Sequence, residues 1–134
     1  MQHGYMEAQS AAEGRVAADL MLRNPKTLSA DARVADAREI LENPHVQMVL
    51  LTNGQTFVGA LTELPGDALA DQPALDFADP APETIGPDAP AAEAFARTAA
   101  NPHRRVIVVD DQARLHGLLC LNESRTRFCG AKAG

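Results

Sequence analysis

Residues 46–62, VQMVLLTNGQTFVGALT, and residues 104–120, RRVIVVDDQARLHGLLC, read as one β-hairpin written twice. In the first, Met48 to Leu51 is an unbroken apolar run, Asn53-Gly54 supplies a turn that tolerates positive φ, and Phe57 to Leu61 is the return strand. In the second, Val106 to Val109, Asp110-Asp111 and Leu115 to Leu119 take the same places. Asn43-Pro44-His45 and Asn101-Pro102-His103 are identical tripeptides 58 positions apart, and Gly59 and Gly117 keep that offset.

The repeat extends upstream at a slightly different spacing. Asp19-Leu20 matches Asp76-Phe77, Pro25 matches Pro82, Thr27-Leu28 matches Thr84-Ile85 and Asp36-Ala37 matches Glu93-Ala94, all 57 positions apart. One residue inserted between Ala94 and Asn101, near the end of a helix, reconciles the two offsets and leaves 58 as the spacing of both hairpin strands. At a helix end such a slip is tolerated, whereas inside a strand it would reverse every side chain. Val16, Leu20 and Met21 fall on one face of a short helix stopped by Asn24-Pro25. Val34, Ala37, Ile40 and Leu41 mark a second helix that ends before Asn43-Pro44. Leu64, Leu69 and Leu75 could anchor a helix delayed by Pro65-Gly66, and Asn122 could cap a last helix through Phe128.

A length of 134 residues suits two such repeats sharing one core. With no Trp, one Tyr and four Phe in a chain that is 46% hydrophobic, that core must be built from Ala, Val, Leu and Ile. The net charge of -6 argues against general binding to nucleic acid or an anionic membrane, although Arg125, Arg127 and Lys132 form a local basic spot. Residues 63–96 hold eight acidic side chains and no Lys or Arg, which reads as a solvated helix and linker. No stretch approaches the length of a membrane span and no signal-peptide core is evident, so a cytoplasmic protein is expected. Cys120 and Cys129 belong to no metal-ligand pattern and are expected as free thiols, with Cys120 buried and inert. His45 and His103 read as polar turn residues, His116 as an exposed strand residue and His3 as part of a flexible leader.

The order of these pieces resembles a known family. VAADLMLRNPKTL, VADAREIL and FVGALT in the first copy, and ALDFADPAPETI with RVIVVDDQARLHGLL in the second, are similar to a tandem pair of CBS domains, often called a Bateman module. The resemblance covers about residues 16–128. It implies an α+β fold of two β-α-β-β-α repeats related by a pseudo-two-fold axis. The corresponding boundaries are a flexible leader at 1–14, repeat 1 at 15–72, repeat 2 at 73–129 and a tail at 130–134.

The resemblance also implies a cleft between the repeats that takes an adenosine-containing ligand such as AMP, ADP, ATP or S-adenosylmethionine, with no required cofactor, no metal and no catalytic residue. The family's ligand signature is Gly-hydrophobic-x-Thr/Ser-x-x-Asp, its carboxylate reaching the ribose. In the first copy, Gly59-Ala60-Leu61-Thr62-Glu63-Leu64-Pro65 keeps the hydroxyl of Thr62 but has Pro65 where Asp is expected, with Asp67 two residues on. In the second, Gly117-Leu118-Leu119-Cys120-Leu121-Asn122-Glu123 keeps a carboxylate in Glu123 and replaces the hydroxyl with Cys120. Thr27 and Thr84 stand where the first strand of each repeat approaches the ligand, and Met48-Val49 and Val106-Ile107 would line the base pocket. Arg104 and Arg105 are the nearest cations for a phosphate. The expectation is a non-enzymatic regulatory or sensor module, homodimeric, acting on a regulated protein not yet identified. The alternative is a ligand-free structural dimerisation or docking module with degenerate clefts.

Overall fold

A computed structural model describes residues 15–129; the leader with His3 and the tail lie outside the described residues. Along the chain run α1 (Ala17–Leu20), β1 (Thr27–Ser29), α2 (Val34–Leu41), β2 (Val49–Asn53), β3 (Thr56–Leu61), a 3-10 helix (Ala74–Phe77), β4 (Thr84–Ile85), α3 (Ala91–Ala100), β5 (Arg105–Val109) and β6 (Leu115–Cys120). Two three-stranded sheets result, ordered β1-β2-β3 and β4-β5-β6, each with a parallel first pair and an antiparallel hairpin.

The chain divides into two compact units, one comprising residues 25–82 and the other joining the residues up to Asn24 to those from Glu83 on. In the first unit, Ala37 of α2, Val49 and Leu51 of β2, Leu61 of β3 and Ala74 form the core. In the second, Ala17 and Leu20 of α1 pack with Ile85, Ala94, Val106, Val108, Leu119, Leu121 and Phe128. Phe95 meets Phe128 edge-on at 6.1 Å between ring centroids. The scarcity of aromatics makes these aliphatic cores, as the composition requires. The short helix that opens the first sequence repeat therefore serves the core of the second sheet.

Local capping explains where the helices begin. The carboxylates of Asp19 and Asp36 accept the backbone N–H groups of Val16 and Arg33, each 3.0 Å away, satisfying the residue before the helix from inside its first turn. In the two Asn-Pro-His tripeptides, the Asn43 side-chain oxygen accepts the N–H of His45 at 2.9 Å and that of Asn101 accepts the N–H of His103 at 2.8 Å. These Asx turns carry the chain from helix to strand, so the histidines are turn residues as expected.

Strand pairing corrects the expected spacing of the repeat. Thr27 pairs with Leu50 and Thr84 with Ile107, which places β2 and β5 at an offset of 57, whereas Gly59 and Gly117, opposite Leu51 and Val108, keep 58. The extra residue before Asn101 is given back ahead of β5 and taken again in the hairpin turn. That turn has four residues between Thr52 and Phe57 but five between Val109 and Leu115. The reason is burial: only the 57 offset sends Val49 and Leu51, and then Val106 and Val108, to their cores. Both hairpins bulge at the same point, with Val58 and His116 as the extra residues.

Neither expected late helix forms as an α-helix. After Leu64 the chain yields only the 3-10 turn at Ala74–Phe77, with Arg38 donating to the carbonyls of Pro65 and Ala68 and Arg33 to that of Asp71. After β6, Asn122 closes a turn instead of opening a helix. Its side-chain oxygen accepts the N–H of Thr126 at 2.9 Å, Arg125 sits at φ 58, and Leu121 bridges back to Phe128. A residue in the left-handed region and a returning bridge are both incompatible with a continuous helix.

Candidate functional site

Alternation along the strands sorts the expected ligand residues onto two faces of the second sheet. Val106, Val108 and Leu119 face the core, so Val106 is corrected from a pocket-lining residue to a packing residue, fully buried. Val49 is corrected in the same way in the first sheet. Ile107 points to the opposite face, where Thr84 and Leu118 are its neighbours in register. Arg105, two residues before Ile107, and Cys120, directly opposite Arg105, lie on that same face. The structure thus gathers Thr84, Arg105, Ile107 and Cys120 on the sheet face turned away from that core, where Ile107 is 0%, Cys120 5% and Arg105 8% exposed.

Thr27, Thr62, Glu123 and Asp67 lie on other segments of the chain. Thr27 is exposed on β1 and pairs with Leu50 in the first sheet, and Thr62 is half-buried just past the end of β3. Glu123 is exposed in the turn after β6, and Asp67 is exposed in the loop after Pro65.

Arg105 is the unusual member. It is only 8% exposed, and its Nη1 donates to the backbone oxygens of His103 at 3.0 Å and Arg104 at 3.5 Å. Among the described residues no carboxylate pairs with it. Burial, and then the charge of Arg104, lower its pKa from the ordinary arginine value, a direction that still leaves it cationic at neutral pH. Arg104 is engaged differently, its Nε donating to the Leu121 carbonyl at 3.2 Å. Arg97, on α3, is spent on Glu83 and Glu93 and on the Thr84 carbonyl.

Cys120 is not the free thiol expected. It forms a disulfide with Cys129, their Cα atoms 5.2 Å apart, and the Cys129 N–H donates to the Cys120 carbonyl at 2.6 Å. The turn centred on Asn122 brings the two cysteines together, so their spacing along the chain was the available signal. Among the described residues no cysteine is free and no cluster of His, Cys, Asp and Glu could hold a metal ion.

The signature glycines have a structural cause. A Cβ on Gly117 would lie 2.6 Å from the Leu22 carbonyl oxygen and 2.7 Å from the Met21 sulfur, because Leu22 pairs with Leu118 along the edge of β6. Gly59 is approached by Ala78 and Asp79 in the same manner, less tightly, where Asp79 pairs with Ala60. Each glycine lets the segment after a short helix close a sheet edge.

Comparison with known proteins supports the repeat. No curated protein sequence matches the chain. The fold is similar to the CBS-pair protein CBSX2 of Arabidopsis thaliana, with a TM-score of 0.68 at 21% identity over 80% of this chain and 89% of that one. CBSX2 in complex with AMP gives 0.67 at 20% identity over 84% and 93%. The CBS domain of the bacterial CNNM/CorC family Mg2+ transporter in complex with ATP gives 0.66 at 14% identity over 89% and 90%. A family model for the CBS domain matches twice, over residues 16–64 and 74–123, which together exceed half of the chain. The mixed α+β repeat, its twin three-stranded sheets and this double match place the chain in the CBS domain family as a tandem pair.

Proposed function

We propose that this chain is a regulatory module that binds an adenine nucleotide or another adenosyl ligand at the surface carrying Thr84, Arg105, Ile107 and Cys120. Occupancy would be passed through a homodimer to a regulated protein, with a cytoplasmic setting and no catalytic step. One observation carries the reading: a largely buried guanidinium, without a carboxylate partner among the described residues, stands at the end of a sheet face turned away from the core. Its unspent donors suit phosphate oxygens. The half-buried Thr84 offers a hydroxyl for a hydrogen bond, whereas Ile107 and Leu118 are 0% and 5% exposed, so a purine would reach them only once that face opens. Similar folds solved with AMP and with ATP support the ligand class.

Thermal shift and calorimetry with AMP, ADP, ATP and S-adenosylmethionine test it. A ligand at 100 times its dissociation constant adds about 2.7 kcal/mol to stability, a readable rise in melting temperature. Arg105→Ala is expected to weaken ATP about ten- to a hundredfold while leaving adenosine nearly unchanged, since a hydrogen bond to a charged group contributes roughly 1.5–3 kcal/mol. If the second copy holds the ligand, with Glu123, three residues past Cys120, taking the ribose, Glu123→Ala is expected to weaken binding more than Asp67→Ala. No shift with any of the four at millimolar concentration overturns the proposal.

The disulfide at Cys120 and Pro65 in the other copy favour a second reading, a dimerisation or docking module without ligand. A dimer whose melting ignores all four compounds selects it.

A further inference from the structure

We propose that the Cys120–Cys129 disulfide is a thiol–disulfide exchange site that controls access to the Arg105 end of the second sheet, a role that rests on reading that surface as the ligand site. Cys120 lies opposite Arg105 in the β5–β6 register, on the non-core face. Its sulfur is bonded to that of Cys129, so the disulfide stands on the face that carries Arg105. This is the position at which the first copy carries the hydroxyl of Thr62. Oxidised, the position is filled by a cross-link; reduced, it presents a thiol and frees Cys129 to leave.

The surrounding contacts keep the change local. Phe128 is 2% exposed in the core, Leu121 bridges to it, and Asn122 closes the turn between them. None of these needs the disulfide. Only Cys129 is held by the bond to Cys120 together with the hydrogen bond from its N–H to the Cys120 carbonyl.

The exchange is written with a dithiol reductant. Its thiolate attacks the Cys129 sulfur, half-buried where Cys120 is only 5% exposed. The Cys129–Cys120 bond breaks, Cys120 leaves as a thiolate and takes up a proton. The reductant's second thiol then attacks its own sulfur in the mixed disulfide and releases Cys129, which is also protonated. Two electrons and two protons pass to the protein and the reductant becomes a disulfide. Arg105, opposite the leaving sulfur, favours its thiolate form. In the cytoplasmic setting proposed above, a disulfide is characteristically of this transient or sensing kind.

The experiment compares the full chain oxidised, reduced by dithiothreitol under native conditions, and as Cys129→Ser, which cannot cross-link. Thiol content is counted by mass-tagged alkylation, ATP affinity by calorimetry and the Cys129 amide by hydrogen exchange. Native reduction is expected, with ATP bound at least tenfold more tightly by the reduced and Cys129→Ser forms, and faster exchange at Cys129 while Phe128 stays protected. A bond that yields only after unfolding, or equal ATP affinity in both redox states, overturns the proposal. Should ATP bind none of the three forms, the ligand reading fails, and the redox device is then decided by exchange alone: an unchanged Cys129 amide overturns it and a quickened one supports it. Should Cys129→Ser not fold, the reduced native chain makes the same comparison without a substitution.

Discussion

Gly117 has no room for a side chain. The nearest atom a new Cβ would meet is the backbone oxygen of Leu22 at 2.6 Å, and backbone fixed by reciprocal hydrogen bonds between Leu22 and Leu118 cannot step aside. Gly117→Ala is therefore expected to destabilise by about 1–3 kcal/mol, whereas Gly59→Ala, whose closest approach is 3.2 Å to the Ala78 methyl carbon, costs less. Urea denaturation of both variants checks the order. A different residue-scale device sits at the turn before β6. Asp110 accepts the N–H groups of Gln112 and Arg114, the Arg114 guanidinium at 3.0 Å and His116 Nε2 at 3.0 Å. The hydrogen bond from His116, and then that from the Arg114 backbone, hold its carboxyl well below the ordinary aspartate range. A depressed folded-state pKa means that the unfolded chain binds the proton first, so stability from Asp110 is complete above about pH 4 and is lost as pH falls below it. Asp110→Asn is expected to flatten the acid limb of a stability profile and leave its slope above pH 5 unchanged, which melting curves from about pH 2 to 7 would read.

At the scale of elements, the two Asn-Pro-His turns look equal in sequence and are unequal in load. Asn43 accepts one N–H, from His45, whereas Asn101 accepts those of His103 and Arg105 and donates through Nδ2 to Glu83 at 3.0 Å. Asn101→Ala is accordingly expected to cost about 2–3 kcal/mol and Asn43→Ala about 1 kcal/mol, by chemical denaturation. The tripeptides were legible as markers of the repeat because an Asx turn needs that residue at that place. They misled as rulers, since a loop between helix and strand absorbs one residue at little cost and only strand pairing reveals where. The hairpins were legible for the opposite reason: apolar runs on either side of Asn53-Gly54, whose glycine takes φ 65, leave few other conformations. What failed was the segment after β6, where Leu121, Phe128 and Cys129 are tied by a bridge and a disulfide that no local periodicity encodes. The candidate site was half legible. The resemblance pointed to Thr84, Arg105, Ile107 and Cys120, which share one face, but it also paired Val106 with Ile107, and since adjacent strand residues alternate faces one of the two had to enter the core.

Over the whole molecule, sequence repeat and packing unit are different divisions of the chain. By sequence α1 opens the first copy, yet Ala17 and Leu20 belong to the core that holds Ile85, Val106, Val108 and Leu119. Backbone hydrogen bonds reinforce the assignment: Ala17 donates to the Ala89 carbonyl at 2.9 Å, Ala91 to that of Arg15 at 2.9 Å, and Leu22 exchanges a pair with Leu118. The second copy supplies the counterpart, since Ala74, in the 3-10 helix that occupies the place of α1, packs with Val49, Leu51 and Leu61. Each unit is thus completed by the segment that precedes the other copy's first strand. A mutation in α1 should consequently be felt about a hundred residues away in sequence. Leu20, 8% exposed, leaves a cavity on truncation to alanine that should cost about 2–4 kcal/mol. Native-state hydrogen exchange locates that loss: with Leu20→Ala, the amides of β5 and β6 are expected to lose protection by up to two or three orders of magnitude while those of β2 and β3 lose less. Equal losses in both sheets, or a loss confined to β2 and β3, would show that α1 stabilises the chain by its place in sequence and not by the core it enters.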